Sequence, residues 1–280
     1  MKLLFSFAVS NNHIDVVKLL LKENSCDSNT SLNDSKNISI NVLLEQNCGT
    51  NVFNKDHETP LFKASLNINS EIVKLLLKRN SDPNLCNKKN ESPLSVASLY
   101  GHYEVVKLLI EHKCNLNCWN EERETPLFLA SWKGHTKIVK LLLHNDCDVN
   151  MYNKNMETPL FISSTSGWTK IVQLLLEHKC EIEVCDLTKQ TPLFNASMFG
   201  YDRIVELLLR RGGDPNICDQ FRQSPLHVAA YGGYESIVIR LLEYNCNTNI
   251  RDIYNHTALD IAENYWLERL IRQANTCLIL

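Results

Sequence analysis

Apolar residues recur along this chain in short blocks that are separated by polar segments. Five of the blocks, VVKLLIEH, IVKLLLHN, IVQLLLEH, IVELLLRR and IVIRLLEY, place apolar residues three and four positions apart on more than one face. This spacing predicts short α-helices that are buried on two sides. The polar segments that follow them, such as 147–150 and 213–216, are rich in turn-forming residues and predict loops.

A Thr-Pro-Leu or Ser-Pro-Leu motif precedes each of these blocks and recurs at a fixed interval of 33 residues. A Thr or Ser hydroxyl can accept a hydrogen bond from an amide of the first helical turn, and Pro at the next position has no amide to leave unpaired. Each motif therefore predicts the start of a short first helix. The seven copies, the last with Ala in place of Pro, begin at Thr59, Ser92, Thr125, Thr158, Thr191, Ser224 and Thr257.

A Gly followed by an aromatic residue or His lies between the motif and the apolar block. Gly permits the left-handed backbone conformation that ends a helix, so the chain can reverse at this point. Two short helices and a loop in each period, repeated without interruption, predict a stacked array of helix pairs. The glycines are Gly101, Gly134, Gly167, Gly200 and Gly233.

The segment TPLFLASWKGHTKIVKLLLHNDCDVN at 125–150 closely resembles the ankyrin repeat, and the likeness extends over essentially the whole chain. The resemblance implies an all-α solenoid of stacked helix-turn-helix units with hairpin-like loops. We expect a single array over 1–280. Its full repeats are predicted at 59–91, 92–124, 125–157, 158–190, 191–223 and 224–256.

The two ends of the predicted array depart from the regular period. Residues 1–35 form an irregular N-terminal repeat without the Thr-Pro start, and 36–58 match only the second helix and loop of a degenerate, truncated repeat. The Asn- and Ser-rich stretch 28–39 has too little apolar content for a normal first helix, so we expect the array to be most flexible there. Residues 257–280 are predicted to form a capping repeat, because polar residues at 272–275 replace the apolar block.

Two further departures from the family's pattern concern the loops and the first helices. The usual Gly two residues before the motif is absent, so we expect loop tips that are less tightly turned. Phe replaces the family's His after Thr-Pro-Leu in four repeats, which predicts more apolar bulk between repeats, and the His remains only as His227. The residues in place of the Gly are His57, Asn90, Arg123, Met156, Lys189, Arg222 and Asn255.

Charge and hydropathy exclude two classes of partner. The chain has 29 basic and 32 acidic residues, a net charge of −3, and its basic residues are scattered. Nucleic acid is not an expected partner, because no basic patch is available for a phosphate backbone. No apolar stretch approaches the roughly 20 residues that span a bilayer, so membrane insertion is not expected.

Eleven cysteines raise the question of disulfides and metal sites. Most occupy two phases of the repeat, and equivalent residues on stacked helices about 8 to 10 Å apart exceed the roughly 7 Å limit for a disulfide. No cysteine pair has a second pair at zinc-site spacing. We interpret the cysteines as small buried residues in the reduced state, which favours the cytosol or the nucleus. Regulation through the thiols stays open as an alternative.

The sequence contains no arrangement of residues that is typical of catalysis. A Ser, His and Asp set, a nucleophile elbow and a phosphate-binding Gly loop are all absent. His102 and His135 lie at a consensus structural position of the repeat that the chain resembles. We therefore expect neither an enzyme nor a bound cofactor or metal.

The resemblance implies that a partner binds to the concave face, which the loop tips and the exposed sides of the first helices form. These positions are rich in aromatic residues, and large exposed apolar patches are normally interaction sites. We expect a monomer that binds another protein or a peptide without catalysis, through Phe53, Leu99, Tyr100, Trp119, Trp132, Lys133, Tyr152, Met198, Phe199 and Tyr231.

Two alternatives to this interpretation remain open. In one, several of these rings only pack over neighbouring loops. In the other, the chain is the adaptor portion of a longer multidomain protein and presents a client to an enzyme such as a ubiquitin ligase. The start of the chain inside a repeat and its apolar ending motivate the second alternative.

Overall fold

The structure of the protein is a computed structural model that describes Ala8, Asn11, residues 13–15 and residues 50–277, with side chains as far as Ala274. This part of the chain contains thirteen helices and no strand, which confirms the predicted all-α fold. The predictions for the repeat at 1–35, and most of those for 36–58, fall outside the described residues.

The helices occur as pairs, with one pair in each full period. The first helices of the pairs are α1 (Pro60–Leu66), α3 (Pro93–Tyr100), α5 (Pro126–Trp132), α7 (Pro159–Thr165), α9 (Pro192–Met198) and α11 (Pro225–Tyr231). The second helices are α2 (Ser70–Lys78), α4 (Tyr103–Glu111), α6 (Thr136–Leu143), α8 (Thr169–Glu177), α10 (Asp202–Arg210) and α12 (Glu235–Glu243). A longer helix, α13 (Tyr265–Cys277), follows them.

The chain forms two compact units, Met1–Pro126 and Leu127–Leu280. In the first unit α1 packs on α3, and α2 packs on α4. In the second unit α7, α9 and α11 pack in that order, and α6, α8, α10, α12 and α13 pack in a parallel row. The two helices of a pair also contact each other in the pairs that begin with α1, α3, α7, α9 and α11. The predicted stacking of helix pairs is confirmed within each unit.

Each first helix begins where the motif predicts. The Thr59 hydroxyl accepts a hydrogen bond from the Phe62 amide at 3.1 Å, and Thr191 accepts one from Phe194 at 3.0 Å. Pro occupies the first turn of these helices. Such a cap contributes typically about 1 kcal/mol to stability.

The last copy of the motif does not begin a helix. Ala258 stands in place of Pro, and the Thr257 hydroxyl donates to the Asp260 carboxylate at 2.8 Å. Residues 258–261 therefore form only a turn, and the chain continues into α13, which begins at Tyr265. Leu267 and Ile271 of α13 are buried, whereas the polar Arg272 and Gln273 are exposed.

The five glycines after the first helices have φ between 70° and 80°, which confirms the predicted left-handed conformation. This conformation turns the chain between the two helices of a pair. After Gly134, for example, the amide of His135 donates back to the Ala130 carbonyl at 2.9 Å. The pair α1 and α2 has no glycine at this position, and Ile68 adopts φ 61° instead.

Every loop tip closes the same turn around an Asn or Asp. At Asn153 the carbonyl accepts the amide of Met156 at 3.1 Å, and the side-chain oxygen accepts the amides of Asn155 at 2.9 Å and Glu157 at 3.0 Å. The expectation of looser tips is wrong, because all seven residues that replace Gly have φ between 57° and 67°. The turn imposes the left-handed conformation although a side chain is present.

Neighbouring loops are joined by hydrogen bonds between residues 31 positions apart. In the first unit the amide of Asn115 donates to the Asn84 side chain at 2.8 Å. In the second unit Asp214 donates to Glu183 at 3.0 Å, by the same geometry. Each loop is thus tied to the loop of the adjacent repeat.

The core follows the predicted replacement of His by Phe. Phe62, Phe128, Phe161 and Phe194 are all buried, which confirms the added apolar bulk. His227 is buried too, and its ring nitrogens lie 3.2 Å from the Ser224 amide and 3.2 Å from the His256 carbonyl. Burial lowers the pKa of His227, so the ring is neutral in the core. Among the described helices, none has the length and apolar character needed to cross a membrane.

Candidate partner-binding surface

In the first unit the predicted binding residues lie on loops and at the end of a first helix. Phe53, Tyr100 and Trp119 are exposed, and Leu99 is half-buried. Phe53 stacks on His57 with ring centres 4.0 Å apart, and Tyr100 stacks on His102 at 6.0 Å. Trp119 is 47% exposed, so about half of its ring area is open to a partner.

A groove of about 390 Å³ lies beside Tyr100 in the first unit. Leu66, Leu99 and Tyr100 line it with apolar atoms. Its other walls carry charge of both signs, from Asp56, Glu58, Lys88, Lys89 and Glu91.

In the second unit the predicted residues again lie at the ends of first helices and on a loop. Trp132, Lys133, Tyr152, Phe199 and Tyr231 are exposed, and Met198 is half-buried. The Lys133 ammonium lies 3.6 Å from the centre of the Trp132 ring, a cation–π contact that orients both side chains. Tyr231 is 73% exposed and has the largest free area of the set.

Three other aromatic residues have a structural role that the sequence did not reveal. Trp168 lies over Gly134, and a Cβ added at Gly134 would come within 2.7 Å of its ring. Its indole nitrogen donates to the Trp132 carbonyl at 3.0 Å. Tyr201 lies over Gly167 and Tyr234 over Gly200 in the same way. Packing over a neighbouring repeat thus accounts for the rings that follow Gly167, Gly200 and Gly233, a position outside the predicted binding set.

The described cysteines have properties of buried side chains rather than of reactive thiols. Burial raises the pKa of Cys114, Cys147 and Cys246 to about 12 and that of Cys180 to about 11. The other four, Cys86, Cys118, Cys185 and Cys218, also have raised pKa values, chiefly through burial. Within the described residues, no group of three or more His, Cys, Asp or Glu side chains could hold a metal ion.

A second exposed apolar surface, which the sequence analysis missed, lies at the loop tips of the second unit. Leu187, Phe221, Ile253 and Tyr254 are all exposed there. The signal was available in the sequence, because the equivalent tip positions of earlier loops, such as Lys88 and Glu121, are charged.

The stacked helix pairs, with no strand among the described residues, define a helical repeat protein. The family model described as "Ankyrin repeats (3 copies)" matches residues 2–85, 63–153, 143–219 and 193–271. The chain therefore belongs to the ankyrin-repeat family. Ankyrin-repeat domains are generally non-catalytic modules for protein–protein interaction.

Solved structures show the same fold. The human ASB11 ankyrin repeat domain is similar at 25% identity with a TM-score of 0.66, over 78% of this chain and 98% of that domain. The ankyrin repeat domain of Bcl-3, a member of the IkappaB protein family, is similar at 24% identity with a TM-score of 0.69, over 78% of this chain and 100% of that domain. A comparison with curated proteins gave no match.

Proposed function

We propose that this protein binds another protein or a peptide, without catalysis, on the face that its loops and first helices form. In ankyrin-repeat arrays this face is the concave one. Each unit carries its own part of the proposed surface, with Tyr100 and Trp119 in the first and Trp132, Tyr152 and Phe199 in the second. The observation that carries the proposal is the exposure of these rings at one loop position and at the ends of the first helices of several repeats.

The chemistry of the rings supports a protein partner. Trp and Tyr combine a large apolar area with a polar atom, and they are enriched among the residues that dominate binding energies. Such a residue at the centre of an interface contributes about 2 kcal/mol or more when it becomes fully buried. The groove beside Tyr100 offers a site for one anchoring side chain of the partner.

The proposal is tested by single alanine variants of the two exposed tryptophans. The partner is first identified by affinity purification and mass spectrometry, and its affinity is then measured by calorimetry. We expect Trp119→Ala or Trp132→Ala to weaken binding about tenfold or more, which corresponds to about 1.4 kcal/mol. Trp266→Ala is the matched control, because Trp266 is 45% exposed but lies on α13, outside the proposed surface.

Unchanged affinity in both variants, with the fold intact by circular dichroism, would contradict the assignment of this face. Equal weakening by Trp266→Ala would contradict it as well, since the loss would then not depend on location.

We also propose that the protein acts as a monomer in the cytosol or the nucleus. Support comes from the buried thiols, because small proteins of oxidising compartments use cysteines mainly for disulfides. Fluorescence microscopy of a tagged chain and sedimentation velocity test location and oligomeric state, respectively.

A further inference from the structure

The tips of the last three loops carry large apolar side chains where the loops of the first unit carry charge. Leu187 and Tyr254 are 66% and 69% exposed, and Phe221 and Ile253 are about half exposed. At the equivalent tips of the first unit the residues are Lys55, Asp56, Lys88, Lys89, Glu121 and Glu122. Single exposed apolar residues are ordinary, but four of them on three consecutive loops are not.

Backbone hydrogen bonds join these three tips to one another. The amide of Gln220 donates to the Thr188 carbonyl at 2.9 Å, and the amide of Ile253 donates to the Phe221 carbonyl at 3.1 Å. Leu187 is adjacent to Thr188 in the chain, so all four apolar residues lie along one hydrogen-bonded row. The four apolar side chains therefore come from neighbouring tips that are joined to one another.

The carboxylates of the same tips are already used inside the loops. The side-chain oxygen of Asp219 accepts the amides of Phe221 and Gln223, and that of Asp252 accepts the amides of Tyr254 and His256. Both aspartates are buried.

The remaining aspartate of these tips is engaged in the same way. Asp186 accepts the amides of Thr188 and Gln190 and the hydroxyl of Thr188. The three loop carboxylates are therefore held by hydrogen bonds within the turns, and none of them is fully exposed at the tips.

The charged side chains that are exposed at the tips themselves are positive, whereas the exposed acidic residues of these loops, Glu181, Glu183 and Asp214, precede the tips in the chain. Lys189 and Arg222 follow Leu187 and Phe221 closely in the chain, and both are exposed. Arg251, which precedes Ile253, is exposed as well, and its guanidinium donates to the Asn255 carbonyl at 2.7 Å. An apolar row bordered by cations complements a segment that combines apolar and acidic residues.

We propose that the tips of the last three loops form a second docking surface, which binds an acidic, apolar segment of a partner protein. This surface is defined by Leu187, Phe221, Ile253 and Tyr254, with Lys189 and Arg222 at its border. None of its residues belongs to the set proposed above, which lies on first helices and at other loop positions.

Charge also argues against a second copy of the chain as the occupant. A symmetric dimer through this surface would bring the same patch together from both copies, and cations would face cations. Like charges across an interface oppose association. A partner of opposite charge has no such penalty.

The test uses a random peptide library displayed on phage. The library is selected on the full chain and depleted on the variant L187S/F221S/Y254S, so that only peptides that need the loop tips survive. We expect the enriched peptides to combine Leu, Phe or Trp with Asp or Glu. The affinity of a synthetic copy, measured by fluorescence anisotropy, should fall at least tenfold in L187S/F221S/Y254S and in K189E/R222E.

The variant W132A/F199A is the control, because it alters the first surface and leaves the loop tips intact. Unchanged peptide affinity in this variant shows that the two surfaces are separate, and lost affinity overturns the second surface. All substituted loop-tip residues are exposed, so the variants should keep the helical circular dichroism of the parent chain.

Several outcomes would overturn the proposal. The first is failure to enrich peptides, or enrichment of peptides without acidic residues. The second is binding to phosphatidylserine–phosphatidylcholine vesicles that L187S/F221S/Y254S abolishes, which would make the surface a lipid-binding one. The third is a dimer in sedimentation velocity that disappears in the same variant.

Discussion

Residues with full side chains occupy backbone positions that glycine normally fills in this structure. The left-handed conformation costs roughly 1 to 2 kcal/mol for a residue with a Cβ. The loop turns nevertheless impose it seven times, because the Asn or Asp of each turn binds three backbone amides. Some stability is therefore lost at every tip.

Replacing one of these residues by glycine should stabilise the fold. Lys189 has φ 63° and an exposed side chain, so Lys189→Gly removes the backbone strain without loss of packing. The extra freedom of glycine in the unfolded chain offsets part of the gain. We expect the free energy of unfolding to rise by about 0.5 to 1 kcal/mol in urea titrations. Lys189→Ala is the control, since it keeps the Cβ, and an equal gain from alanine would show that strain is not the cause.

The sequence analysis found these seven positions but misjudged their conformation. The pattern of residues shows that glycine is missing, whereas the conformation follows from bonds made by another residue three positions earlier. Asn153, for example, holds Met156 through its carbonyl. Propensity at one position is overridden here by the hydrogen bonds of the whole turn.

The glycine between the two helices of a pair is needed for two reasons, its backbone conformation and the close packing of a ring against it. Gly134 has φ 79°, and the ring of Trp168 from the next repeat lies where a Cβ would be. Gly212, at the end of α10, has φ 91°, but no atom lies within 4 Å of its Cβ position. Both positions need the left-handed conformation, but only Gly134 also needs the space that a Cβ would fill.

Alanine at these two glycines should give unequal losses. Gly212→Ala adds only the cost of a left-handed alanine, about 1 kcal/mol, while Gly134→Ala also displaces the Trp168 ring and should cost roughly 2 kcal/mol or more. The difference is measured by urea unfolding. In a protein that already carries Trp168→Ala, the further loss of stability caused by Gly134→Ala should fall to about the loss caused by Gly212→Ala. Equal losses at Gly134 and Gly212 would refute a packing role for the Trp168 ring.

The helices were largely predictable, because their determinants are local. Thr or Ser, Pro and Gly act within a few residues of their own position, and the six full motifs each begin a helix. The seventh, at Thr257, does not: Ala258 stands in place of Pro, and residues 258–261 form a turn. The sequence pattern alone did not predict this difference.

At the scale of the whole molecule, the cysteines are protected in the same way in repeat after repeat. Cys114 and Cys147 share one position of the period, and Cys246 lies at the same position three repeats further on. All three are buried, and their pKa values of about 12 leave very little thiolate near neutral pH. Exposure of these thiols requires opening of a repeat.

Alkylation of the native protein should therefore distinguish two groups of thiols. At pH 8 we expect iodoacetamide to label Cys114, Cys147 and Cys246 at least 100-fold more slowly than a free cysteine peptide, because their thiolate fraction is smaller by on the order of 10³. Half-buried Cys185 serves as the internal comparison, and urea should abolish the difference. Fast labelling of the three buried thiols in peptide maps would contradict their burial and favour regulation through the thiols.

The binding surface was less predictable than the fold. The sequence places rings at exposed positions of the repeat, but it does not distinguish Trp132 from Trp168, which is equally exposed and yet packs over Gly134. That distinction depends on which neighbouring backbone leaves room for a ring. The loop-tip row was missed for another reason: its apolar character emerges only when the tips of several loops are compared.

The bonds between loops, such as Asn115 to Asn84 and Asp214 to Glu183, always join adjacent repeats. The conformation of a loop therefore depends on the adjacent loop and not on the position of its repeat in the array. Unequal recombination inside the second unit could duplicate or delete one coding period, and the new junction would resemble every old one. The number of repeats can in this way change within a lineage without a poorly folded intermediate.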